Sequence, residues 1–155
     1  MIRPAKAPYA TTKIDARRSQ ADIDGLLDKY GITDVRWTRE GEQSTLEFIV
    51  EIELAGIPRK IGFRFNPPLF YSLRKTWSKE KGRYDTLKLP NHAQSMRLLH
   101  DYLKLKLSAV AWGIRPFEEE FLAEVIVQTP EGPKRFAEMV KQQNLIALPE
   151  IILNE

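Results

Sequence analysis

The sequence predicts an α+β domain, and three observations carry that prediction. Two amphipathic helical segments flank a run of alternating strands, the strands are joined by turns too short for a parallel crossover, and the length is that of one compact domain. The 155 residues are 43% hydrophobic and 29% charged, close to the globular average, which excludes bulk disorder, collagen-like repeats and coiled coil. Cysteine is absent, so disulfides, thiolate zinc sites and cysteine nucleophiles are excluded. The start Met1-Ile2-Arg3-Pro4-Ala5-Lys6 lacks a secretory apolar stretch and no run approaches a membrane span, so a soluble cytoplasmic protein is expected.

Residues 1–18, rich in Pro, Ala and Thr at their start, are expected to form an extended N-terminal arm, residues 19–144 the globular domain, and residues 145–155 an apolar tail. Ser19 is a candidate N-cap with Asp22 three residues on. Ile23, Leu26, Leu27 and Tyr30 then share one helical face, and Gly31 with Ile32 supplies a C-terminal cap. This predicts a helix over 19–30.

Val35 and Trp37 begin a short strand that turns at Glu40-Gly41-Glu42. Strands 46–54 and 57–65 follow, and a two-residue turn at Ala55-Gly56 fixes their register. Val50 then faces Ile61, Phe48 faces Phe63 and Leu46 faces Phe65, while Glu51 meets Lys60 and Glu47 meets Arg64 on the other face. A slip of one residue would destroy both patterns. The fit is poorer at Ile52 with Arg59 and Glu53 with Pro58, where a bulge or fraying is expected. Because two of Glu47, Glu51 and Glu53 have cationic neighbours across the hairpin, they read as ion-pair partners rather than ligands for a divalent metal.

Asn66-Pro67-Pro68 breaks the last strand and opens a connection to Leu89-Pro90 that reads as a long irregular basic loop. Residues 91–112 form the longest helix, capped by Asn91 and ended by Gly113. Met96, Leu99, Leu103, Leu107 and Val110 make one stripe and Leu98, Tyr102, Leu105, Ala109 and Trp112 a second, so burial on two sides is expected. Pro116 fits the first turn of another helix, whose buried face would be Phe117, Phe121, Leu122 and Val125. After the turn Thr129-Pro130-Glu131-Gly132, Pro133 opens a last short helix.

The charge is segregated. Residues 1–58 hold 8 basic and 10 acidic side chains, residues 59–88 hold 9 and 2, and residues 117–155 hold 3 and 8. Either the acidic C-terminal part neutralises the basic segment, or that segment attracts a polyanion. Within it, Trp77 and Tyr84 lie among Arg74, Lys75, Lys79, Lys81, Arg83 and Lys88. Cations that track phosphates, interleaved with rings that stack on bases, are the ingredients of single-strand binding. These eight residues are the candidate nucleic-acid site.

Motifs for chemistry are missing. Neither a Gly-rich phosphate loop nor a Gly-x-Ser-x-Gly elbow occurs. His92 and His100, eight residues apart on one helix, stand roughly 11–12 Å apart, too far for one metal ion. Glu120 and Glu124 read as a solvated pair, and His100 with Asp101 as a helix flank. The expectation is a non-enzymatic protein without catalytic residues, metal or cofactor.

Two segments carry a resemblance. Ser19-Gln20-Ala21-Asp22-Ile23 running to Lys29-Tyr30-Gly31, and Gly113-Ile114-Arg115-Pro116-Phe117-Glu118-Glu119-Glu120-Phe121-Leu122, resemble a group of small, largely uncharacterised proteins of phages and other mobile elements. Leu103-Lys104-Leu105-Lys106-Leu107 fits the same group, and the likeness covers about 60 residues. It implies nucleic-acid work by association with recombination and replication functions. The helix, three-strand, helix order is also shared with double-stranded-RNA-binding domains, a likeness of topology alone. The expected function is therefore a nucleic-acid-binding accessory protein for single strands. The competing expectation is a protein–protein interaction module, an inhibitor or assembly factor, that uses the acidic helix near 117–125 and the apolar tail, through which it would also self-associate.

Overall fold

Residues 7–142 are described by the computed structural model. Helix α1 spans Ala16–Lys29, earlier than expected, because Asp15 and not Ser19 is the N-cap. The Asp15 carboxylate accepts the Arg18 amide at 2.8 Å. Ser19 lies inside the helix and is fully buried. Apolar periodicity begins only at Ile23, so the polar first turn gave no signal. At the other end Ile32 donates its amide to the Leu27 carbonyl at 3.0 Å and Gly31 donates to Asp28 at 2.9 Å, the cap expected from Gly31-Ile32. Residues 7–15 are tied to the start of the long helix: Gln94 donates to the Pro8 carbonyl at 2.7 Å and Asn91 to Ala10 at 3.3 Å.

Strands β1 (Asp34–Glu40), β2 (Gln43–Leu54) and β3 (Ile57–Phe65) form an antiparallel meander in that order. The β2–β3 register is the expected one throughout, from Leu54 opposite Ile57 to Leu46 opposite Phe65. Pairing also runs unbroken through Ile52–Arg59 and Glu53–Pro58, without the expected bulge. That end of the hairpin faces solvent, so mismatched pairs cost little there.

The segment 66–90 is not an irregular loop. It is a second hairpin, β4 (Tyr71–Ser78) paired with β5 (Arg83–Pro90) in a sheet of its own. No residue of either strand is buried, so neither face shows the alternation of polarity by which sequence announces a strand.

Helix α2 spans His92–Ala111, with Asn91 as N-cap accepting the Gln94 amide at 3.1 Å. Its first stripe, Met96, Leu99, Leu103 and Leu107, is buried as expected, with Val110 packed at its end. Leu99, Leu103 and Leu107 share one core with Ile23 and Leu27 of α1 and the inner sheet face, Leu46, Phe48, Phe63 and Phe65. The second stripe is covered only in part among the described residues: Leu98 and Ala109 are half-buried and Tyr102 packs edge-on to Phe65, but Leu105 is 72% exposed and Trp112 85%. Heptad spacing predicted an apolar face but could not supply a neighbour for it.

Beyond α2, Pro116 caps a four-residue helix α3 (Phe117–Glu120) that passes into a 3₁₀ turn, Leu122–Glu124. Phe121 is fully buried, stacked on Phe117 at 4.5 Å and edge-on to Phe48, Phe63 and Phe65. Leu122, expected in that buried face, points outward. The turn at 129–132 belongs to a third hairpin, β6 (Ile126–Thr129) with β7 (Gly132–Arg135). Pro133 therefore sits in a strand, and helix α4 begins only at Phe136 and runs to Gln142. The apolar tail, residues 145–155, lies outside the described residues.

Candidate nucleic-acid interface

Eight residues per strand at about 3.3 Å each make the β4–β5 hairpin an arm about 26 Å long. Among the described residues it is fastened only at its base. Asn91 donates its amide to the Phe70 carbonyl at 2.7 Å, Gln43 donates to the Pro67 carbonyl at 3.0 Å, and the Tyr71 hydroxyl donates to Glu42 at 2.9 Å. That last bond raises the Tyr71 phenol above its ordinary range, with desolvation and the charge of Glu42 adding to it. At the tip, residues 79–82 turn the chain, Gly82 adopting φ +58° and the Ser78 hydroxyl accepting the Lys81 amide at 3.3 Å.

Strand pairing sorts the eight candidate residues. Trp77 lies opposite Tyr84, Lys75 opposite Thr86, Leu73 opposite Lys88 and Tyr71 opposite Pro90, and these eight side chains share one face. Trp77 and Tyr84 meet edge to face at 5.0 Å, and Lys88 lies 4.2 Å above the Tyr71 ring. No carboxylate belongs to this face. Arg74, opposite Leu87, and Arg83, opposite Ser78, lie on the other face with Asp85. Asp85 pairs with Lys81 at 3.1 Å and with Arg83 at 3.5 Å. Lys79 and Lys81 belong to the tip. Four of the eight, Lys75, Trp77, Tyr84 and Lys88, thus come together on one surface, and two others, Lys81 and Arg83, share the single carboxylate of Asp85.

The acidic C-terminal residues do not screen the arm among the described residues. Glu120 and Glu124 close instead on Lys106 of α2, at 3.4 and 3.6 Å. They are not the solvated pair their spacing suggested; Glu124 is buried and accepts the Tyr102 hydroxyl at 3.0 Å. Desolvation, then the charge and hydrogen bond of Glu124, push the Tyr102 phenol far above its ordinary range. Glu47 is a buried ion-pair centre, bonded to Arg64 at 2.7 Å as its register predicted and also to Arg36, a partner the hairpin argument did not include. His100 sits 2.8 Å from Asp101, as a helix flank. Among the described residues, no three His, Asp or Glu side chains are placed to hold a metal ion. No described helix is long and apolar enough to cross a membrane.

Comparison with protein-family models, with curated proteins and with solved structures finds no match. The functional reading rests on the arm's geometry and the sequence.

Proposed function

We propose that this chain is a non-enzymatic nucleic-acid-binding accessory protein, of the phage or mobile-element kind its sequence resembles, and that a single strand lies along one face of the β4–β5 arm. The observation that carries this reading is a projecting ribbon whose aromatic and lysine face draws no carboxylate from its own strands, meets Glu42 only at Tyr71 at the base, and has no covering element among the described residues. Lys75 and Lys88 neutralise phosphates, and the exposed Trp77–Tyr84 pair offers a ring for a base to stack on, a contact of about 1–3 kcal/mol. Tyr71 lies at the far end of the same face.

The test is fluorescence anisotropy with labelled single- and double-stranded oligonucleotides over a range of salt. Trp77→Ala is expected to weaken single-strand binding by about 1–3 kcal/mol, roughly 5- to 150-fold. Arg83→Ala should do far less, because Arg83 is held by Asp85 on the opposite face. If Trp77→Ala and Lys79→Ala both leave affinity unchanged, the arm is not the site. Absence of binding at low salt would move the reading to a protein partner, with the open second stripe of α2 as the surface to examine.

A further inference from the structure

The starts of α1 and α2 form a second basic site. The helices run side by side in the same direction: Ala16 and His92, each the first residue of its helix, line one cavity of about 270 Å³, and further along Asp22 meets Arg97 at 3.4 Å. Two parallel macrodipoles therefore direct their positive ends into one space, and the first amides of each helix have no acceptor within it. An acid in the first turn is the usual compensation. Neither helix has one there; α1 carries Arg17 and Arg18, and α2 opens with His92. Asp15, just ahead of α1, is occupied by the Arg18 amide.

The cavity wall strengthens the case. Arg17, Gln20, Arg39, Ser44 and His92 line it above a floor that includes Met96, with no carboxylate. Arg39 reaches His92 Nε2 at 3.2 Å. Ser44 is 9% exposed, and among the described residues its hydroxyl makes no hydrogen bond although it faces this space. Cationic side chains at two positive helix ends, beside a hydroxyl with no protein partner among the described residues, violate local preference in the way functional sites do.

We propose that this cavity binds a phosphate group. Arg17 and Arg39 supply charge, Ser44 a hydroxyl donor, and the first turns of α1 and α2 their free amides. The site lies at the root of the arm, since β5 ends at Pro90 and α2 begins at His92. A strand on the arm is one source of that phosphate and a free phosphate or small phosphate ester is the other. The site does not depend on the arm reading.

The experiment is titration of the isotopically labelled full chain with inorganic phosphate, against sodium chloride of matched ionic strength, followed by amide chemical shifts. Saturable shifts centred on residues 16, 17, 92 and 93, weakened about tenfold in Arg39→Gln and also reduced in Ser44→Ala, are the expected result. Arg39 is exposed, so its variant keeps the fold. Shifts no larger than those in chloride, or shifts unchanged in Arg39→Gln, would overturn the site. Oligonucleotides with and without a 5′-phosphate then separate the sources. Tighter binding of the phosphorylated strand, with shifts at the same four residues, assigns a strand end, and equal binding with those shifts assigns a backbone phosphate. A response to inorganic phosphate without any oligonucleotide binding keeps the site and removes the arm reading. Oligonucleotide shifts confined to 71–90, with inorganic phosphate silent, keep the arm and remove the site.

Discussion

At Ala55 the backbone adopts φ +52° and at Gly56 φ +77°, the mirror-image turn that a two-residue hairpin requires. Glycine is at home there, whereas an alanine bears a cost of about 1 kcal/mol for its Cβ. Ala55→Asn, whose short side chain tolerates this conformation, should raise unfolding free energy by about 0.5–1 kcal/mol in urea titration. Glu47 gives a test with pH. Burial opposes its ionisation, but the hydrogen bonds and charges of Arg36 and Arg64 outweigh that and hold its carboxyl below the ordinary glutamate range. A lowered folded-state pKa means that the ion pairs stabilise fully above the unfolded value, about 4.3, and that this contribution is lost as pH falls through the lower folded value. Glu47→Gln should therefore cost about 1–2 kcal/mol at pH 7, and the difference from the unsubstituted chain should close as pH falls toward 3.

Among the elements, the meander and the arm differ in how much of them can be read from sequence. Strands β2 and β3 have one face in the core and one paired by charge, so two patterns agree on a single register. The arm has no buried face, and its alternating Tyr71, Leu73, Lys75 and Trp77 read as scattered aromatics until Tyr84 and Lys88 are seen across from them. Composition thus marked the eight residues, but only pairing showed which of them share a surface. The phosphate cavity was hidden for another reason. Arg17, Arg39, Ser44 and His92 come from four separate elements, and their one local trace is basic residues where helix starts usually carry acids. Because the arm contributes nothing to the core, replacing residues 72–89 with a short glycine–serine turn should leave thermal unfolding within about 2–4 °C, while oligonucleotide binding is lost. Unfolding lowered well beyond that would mean that the arm supports the fold.

For the whole molecule, segregation of charge matters more than the net of +3. Four acidic C-terminal groups, Glu120, Glu124, Glu131 and Glu138, are spent within their own neighbourhood on Lys106, Lys134 and Arg135, and among the described residues none of them pairs with the arm. Lys75 and Lys88 on the binding face and Lys79 at the tip have no carboxylate partner there, so single-strand affinity should fall with log salt with a slope of about −2, at about −0.7 per released counterion. Asp85→Asn frees Lys81 at the tip, and the slope should steepen toward about −3. A slope near zero in both proteins would remove phosphate contacts from the account.

A sheet of two strands has two open borders. Along β4 and along β5 every second residue turns an amide and a carbonyl away from its partner, and no third strand takes them among the described residues. Such a border is a template on which another copy can pair, and mutual repulsion among the arm's lysines opposes that pairing. Stripping those lysines together to alanine would then remove the repulsion along with any phosphate contact, and the arms would pair edge to edge into insoluble material. Single substitutions, or exchange of lysine for glutamate, keep the border guarded and separate a loss of ligand from a loss of solubility.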